Sequence, residues 1–355
     1  MANDFKEKKS VLIIYTTNSL GDLILATPLA KALWQTNNDL LVGWCVHQNN
    51  KAVLKGNPYI SSIFTWNHTF RELINVVKQL RSNYWHFCLD LRGLLITSLL
   101  ARLAKCRNIF GLETPECPVE WGTRLFYSSI IYLPMLHEAE LHWLAGYTLG
   151  EKIKTNGPYP KMIKGQEAAY IPKELARPTI YLTPTEIEKA EKMLGGNYPF
   201  VALCPTTTTM RKMWPPRRWG ILANEISRKG YLPVFVGSKK DLLDFEAIKE
   251  QMYCPYLNLI GKTTIREAAA IFTKASLVIS VDSGAMHLAV ASGARVLALF
   301  GPASPERWGP YGGEHKSIYK NLPCSSPCVN EQCLTIDCMR AISVEEVLKE
   351  VETML

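Results

Sequence analysis

No apolar run in this chain reaches the roughly 18 residues that a membrane-spanning helix needs; runs such as 94–103 and 130–136 are broken by Arg, Ser or Pro. The first ten residues are polar and charged and lead into Val11-Leu-Ile-Ile-Tyr15, without the apolar core and cleavage site of a signal peptide, so a cytoplasmic protein is expected. Low-complexity tracts are also missing. With 47% hydrophobic and 20% charged residues, the composition is globular and not that of a disordered chain. No zinc-finger, RNP-like or other nucleic-acid signature occurs. The net charge of +8 is therefore read as attraction to anionic lipid, glycolipid or a membrane surface before nucleic acid. The pattern G-x-G-x-x-G is absent after the first strand, where only Gly21 stands, which disfavours a nicotinamide enzyme.

What is present is alternation. The 355 residues are enough for two domains. Short apolar runs at 11–15, 41–46, 60–64 and 86–90 alternate with helix-like stretches at 21–36, 70–81 and 94–104, the rhythm of a parallel sheet with helices on both faces. Residues 111–150, rich in Pro, Trp and Tyr, show no clear period. Residues 159–178 read as a linker. A second series follows, with strands at 200–204, 232–237, 277–282 and 296–300 and helices at 216–229, 241–251, 265–274 and 285–292. The divisions expected are 1–170, 171–340 and a C-terminal helix within 341–355. Ligands of such sheets bind beyond the carboxyl ends of the strands.

Three loops carry candidate chemistry. Val281-Asp-Ser-Gly-Ala-Met-His-Leu-Ala289 follows an apolar strand, so Ser283 and Gly284 can open a helix whose free N–H groups and dipole suit a diphosphate. His287 lies one turn inside. The plainer reading, that Asp282 or Ser283 caps a helix and His287 packs in the core, has equal weight on the motif alone. Pro205-Thr-Thr-Thr-Thr-Met-Arg-Lys-Met-Trp214 also follows a strand. Its hydroxyls and Lys212 can hold phosphate oxygens and a leaving diphosphate, whereas Trp214 and Trp219 read as anchors of the next helix. The third loop, Asn18-Ser-Leu-Gly-Asp22, sets Asp22 at a strand end, suited to a general base, although Asp at a helix start more often only favours the dipole. Cys324, Cys328, Cys333 and Cys338 cluster in a Pro-rich loop without the paired C-x-x-C of a strong zinc site. A structural loop comes first among their readings and a structural metal second. The other six cysteines read as buried core residues.

These loops, with Leu20-Gly-Asp-Leu-Ile-Leu-Ala-Thr-Pro28, Leu89-Asp-Leu-Arg-Gly-Leu94, Val236-Gly-Ser-Lys-Lys-Asp241, Phe300-Gly-Pro302 and Trp308-Gly-Pro310, resemble glycosyltransferase family 9, best known for lipopolysaccharide heptosyltransferases. The resemblance covers nearly the whole chain. It implies an α/β protein of GT-B fold, two Rossmann-like parallel-sheet domains facing a central cleft, with the acceptor on the N-terminal domain and a nucleotide sugar on the C-terminal one. By the same resemblance Asp22 is the base, while Thr206, Thr207, Thr208, Thr209, Lys212, Ser283, Gly284 and His287 hold the diphosphate. Asp241 reaches toward the ribose, and Asp282 fixes the loop or the sugar. The chain departs from relatives at Tyr15-Thr16-Thr17, where they carry Arg or Lys, and at Arg92, where Gln is common. Arg92 either faces an acidic acceptor or pairs with Asp90.

The activity so implied is an inverting, metal-independent transfer of heptose from ADP-heptose to the anionic inner core of lipopolysaccharide, at the inner face of the cytoplasmic membrane. No cofactor is implied. A family 9 transferase for another sugar or glycan, and a non-catalytic nucleotide-sugar-binding protein, are the rivals.

Overall fold

Val11-Leu-Ile-Ile-Tyr15 shows no polar alternation, and every residue of its strand is buried. A strand buried on both faces needs cover on both, the condition under which parallel strands occur. The computed structural model describes residues 8–155, 158–165, 171–196, 199–322, 324, 333 and 335–355, and it divides into two compact units, 1–176 and 177–355.

The first unit runs β1 (Ser10–Tyr15), α1 (Leu20–Ala26), α2 (Pro28–Thr36), β2 (Leu41–Val46), α3 (Lys51–Leu54), β3 (Ser62–Thr65), α4 (Phe70–Arg81), β4 (Phe87–Asp90), α5 (Leu95–Leu103), β5 (Asn108–Glu113), β6 (Ser129–Tyr132), α6 (Glu138–Thr155) and β7 (Met162–Lys164). Its seven parallel strands lie in the order β3-β2-β1-β4-β5-β6-β7. The helix expected over 21–36 is two helices, because Pro28 lacks an N–H and opens a new helix at its first position. The aperiodic stretch 111–150 holds β6 and most of α6, a helix buried along much of its surface. It packs against α2 so closely that a Cβ on Gly146 would meet the Leu29 carbonyl oxygen at 2.5 Å. Within the presumed linker, β7 pairs with β6.

The second unit runs α7 (Pro184–Leu194), β8 (Phe200–Cys204), α8 (Pro216–Arg228), β9 (Leu232–Phe235), α9 (Leu242–Lys249), β10 (Leu257–Asn258), α10 (Ile265–Phe272), β11 (Leu277–Val281), α11 (Gly284–Ala291), β12 (Val296–Phe300), α12 (Pro305–Trp308), β13 (Lys316–Tyr319), α13 (Asp337–Arg340) and α14 (Val344–Met354). Six parallel strands lie in the order β10-β9-β8-β11-β12-β13. The order reverses between β8 and β11, which makes their carboxyl ends a switch point of the kind that admits ligands. Trp214 and Trp219 are fully buried, edge to face at 5.2 Å, and Trp214 Nε1 donates to the Ile342 carbonyl at 2.9 Å. The plain reading of both tryptophans therefore holds. Val347 and Val351 of α14 join the same core.

Candidate active site

Pairing of Cys204 with Ser280 sets the ends of β8 and β11 side by side, and the loops that leave them meet. Lys212 closes a 3₁₀ turn, Met210–Lys212, its amide donating to the Thr209 carbonyl at 2.9 Å. Its Nζ lies 2.5 Å from Asp282 Oδ2, and Asp282 is only 5% exposed. The pair joins two of the three candidate loops. Thr206 is buried, Thr207 and Thr209 are half-buried and Thr208 is exposed.

Ser283 precedes α11 but makes no side-chain cap; its Oγ lies 3.3 Å from Ser280 Oγ instead. The first-turn amides of α11 are thus not closed by a cap, and Gly284 adds no side chain there. Such amides, at the positive end of the helix dipole, are an anion site. His287 is buried one turn in. Asp241 ends a third turn, Lys239–Asp241, and spends one carboxylate oxygen on it: Oδ2 accepts the Ser238 N–H at 2.6 Å. It sits near the end of β8, since burial first and the Asp241 charge second push up the Cys204 thiol.

The first unit holds a different group. Asp22 lies in the first turn of α1, where its amide donates to Ser19 Oγ at 3.4 Å, and its side chain is half-buried. Its charge reaches Glu138, at the start of α6, whose carboxyl is pushed up to about 7 by burial and then by Asp22. Behind it His142 Nε2 lies 3.8 Å from Glu138 Oε2, and burial brings this imidazole down to about 4. The His142 ring rests against Tyr15 at 5.5 Å. Burial, then Asp22 and Glu138, hold the Tyr15 hydroxyl protonated, and Arg92 opposes them, so Arg92 belongs to the same neighbourhood. Sequence reading missed Glu138 and His142 and noted Tyr15 only as a departure from relatives. A signal existed for His142, which stands within the mainly apolar run 139–149.

Arg92 follows β4. Asp90 is fully buried and accepts from the Arg92 amide at 3.0 Å, the Gly93 amide at 3.4 Å, Thr97 Oγ1 at 2.7 Å and the Tyr127 hydroxyl at 2.8 Å. Burial raises its pKa to about 6 against those four bonds. The exposed Arg92 side chain is not among its partners. Of the clustered cysteines, Cys328 lies outside the described residues; Cys338 is buried, Cys324 is exposed and Cys333 is intermediate. Among the described residues no group of three or more His, Cys, Asp or Glu is placed to hold a metal ion. Of the other cysteines, Cys45, Cys88, Cys106 and Cys204 are buried as expected, but Cys117 is exposed and Cys254 intermediate, because both lie in loops.

Residues 165–337 match the model of glycosyltransferase family 9 (heptosyltransferase). The chain belongs to glycosyltransferase family 9. This family 9 chain is 28% identical to lipooligosaccharide heptosyltransferase 2 of Haemophilus influenzae over 252 residues, 59% of the chain and 72% of that protein. A family 9 glycosyl transferase from Veillonella parvula superposes with a TM-score of 0.80 at 20% identity, covering 98% of this chain and 97% of the other. E. coli heptosyltransferase WaaC with ADP superposes with a TM-score of 0.71 at 18% identity, covering 98% and 100%. The fold is therefore of GT-B type.

Glu138 has a measurable signature in this transferase. Its folded-state pKa of about 7 lies above the ordinary value of 4.5, so the unfolded chain ionises first as pH rises. Stability is fully present below about pH 4.5 and declines through pH 7. Glu138→Gln removes that loss. Its unfolding free energy at pH 8 should exceed wild type by about 1–3 kcal/mol, with the difference vanishing at pH 4, as read by denaturant titration across pH. Equal pH dependence in both proteins contradicts the buried placement of Glu138.

Proposed function

We propose that this family 9 transferase moves heptose from ADP-heptose onto a hydroxyl of the lipopolysaccharide inner core, with inversion and without a catalytic metal. The observation that carries the reading is the Lys212–Asp282 pair beside the uncapped start of α11, a cation and helix amides at one switch point. That is the equipment a departing diphosphate needs when no metal offsets its charge. The E. coli relative solved with ADP supports the adenine nucleotide.

In this reading the second unit binds the donor. Lys212, the Thr206–Thr209 loop, Ser283, Gly284 and His287 take the diphosphate, and the carboxylate oxygen of Asp241 not spent on its turn takes the ribose. Asp282 holds Lys212 in place. The first unit binds the acceptor, with Arg92 facing its acidic groups. As the acceptor oxygen bonds to the anomeric carbon, its proton passes to Asp22. The bond from that carbon to the diphosphate oxygen breaks with its electron pair, and one in-line displacement inverts the centre. No proton need be taken from the resting acceptor, because its oxygen becomes acidic only as the new bond forms.

Lys212→Ala should weaken ADP binding by about 1.5–3 kcal/mol, the loss of a charge-assisted contact, measured by calorimetry. Unchanged affinity removes Lys212 from the site. Asp22→Asn should lower turnover by roughly 10²–10⁴ while ADP affinity stays near wild type. Near-normal transfer reduces Asp22 to a helix-start residue. Transfer of heptose by the wild type should persist in excess EDTA, and loss restored by magnesium overturns the metal-free part of the reading.

A further inference from the structure

Helix α5 breaks the usual pattern of a surface helix. Thr97, Ser98, Leu100 and Ala101 face inward, yet its outer side carries Leu95, Ile96 and Leu99, all exposed. The 3₁₀ turn Trp121–Phe126 packs beside it and projects Trp121, 88% exposed, and Leu125, 83% exposed. Glu120 ties the two together, its Oε2 accepting the Leu95 amide at 3.0 Å. Five large apolar side chains thus stand on one surface, on two elements that pack together. Isolated exposed apolar residues need no explanation, but a contiguous group does.

The charges around the group are uneven. Residues 91–127 contain five basic residues and three acidic ones. Two of the acids are engaged by the protein itself: Glu120 by the Leu95 amide, and Glu113 by Arg124 at 2.5 Å and the Val119 amide at 3.3 Å. Arg92, Arg102, Lys105 and Arg107 are exposed. Exposed aromatic and aliphatic tips, with exposed arginines and a lysine in the same stretch of chain, match an interface of apolar chains under anionic headgroups.

We infer that the face formed by α5 and the 121–126 turn docks on an anionic lipid bilayer, with Trp121 and Leu125 entering the boundary between headgroups and acyl chains. A second copy of the chain fits less well. A two-fold interface sets the same patch against itself, so it brings the positive fringes together, and it leaves two protruding tips without a matching hollow. Fluid lipid accommodates both. The inference shares with the proposed function only the lipid nature of the acceptor. A vesicle assay contains no sugar donor, so its failure leaves the transferase reading standing, and failure of transfer leaves the docking face standing.

The test is sedimentation of the full chain with vesicles of phosphatidylethanolamine and phosphatidylglycerol, and with vesicles of phosphatidylcholine alone. Wild type should partition at least tenfold better to the anionic vesicles, and Trp121→Ser/Leu125→Ser should lose at least tenfold of that partition while binding ADP as wild type does. A variant with reduced folding is bypassed by a second measurement on Trp121→Phe, which keeps the apolar tip. Brominated lipid should quench part of the wild-type tryptophan fluorescence, and that part should be missing in Trp121→Phe. The inference is overturned by equal partition of wild type to the two vesicles, by equal binding of wild type and double variant, or by identical quenching in wild type and Trp121→Phe. It is equally overturned if the wild type sediments alone as a dimer that the double substitution dissociates.

Discussion

A carboxyl group as buried as that of Asp282 needs a partner, and Lys212 supplies one from the neighbouring strand's loop. Much of the candidate donor site depends on that pair. It ties the loop after β8 to the loop after β11, and so holds the threonines of the one against the amides of the other. The tie is geometrically available because β8 and β11 are adjacent, parallel and at the point where strand order reverses. Capping of α11 by Ser283 would close the amides that an anion needs, and Ser283 turns toward Ser280 instead. Asp241 is the counter-example in the same cluster, a carboxylate that does close its own turn.

The first unit sets two carboxyls in different surroundings. Asp22 stands at a helix start with solvent in reach, whereas Glu138 is set among apolar neighbours and held toward its neutral form by desolvation and by Asp22. His142, kept neutral by burial, completes an arrangement with little net charge behind Asp22.

Asp90 links the Arg92 turn to the exposed apolar face. Its four hydrogen bonds hold the Arg92–Gly93 turn, Thr97 in α5 and Tyr127 just after the 121–126 turn. One buried carboxylate therefore fixes the root of Arg92 and the mutual placement of the two elements that carry Leu95, Leu99, Trp121 and Leu125. The motif Leu89-Asp-Leu-Arg-Gly-Leu94, where the sequence left Arg92 open between facing an acceptor and pairing with Asp90, is at Asp90 an anchor of the backbone. Only Arg92 is directed outward from it.

Local chemistry was legible without the fold. Apolar runs announced parallel strands, the helix-like stretch 70–81 coincided with α4, and loops after strands marked Lys212, Asp282 and Asp22 as candidates, because turn and cap residues act over a few positions. Other features were written there but passed over, such as the Thr183 and Glu186 capping box that opens α7, and Pro28 dividing two helices. What no local pattern carries is proximity across many residues. Lys212 and Asp282 are seventy positions apart, Asp22 and Glu138 over a hundred, and each pair meets only because sheet order and helix packing bring them together. Whether a carboxyl is ionised, and whether a leucine is core or surface, depends on what surrounds it in space. For Glu138 and for the outer side of α5, tertiary structure decided both.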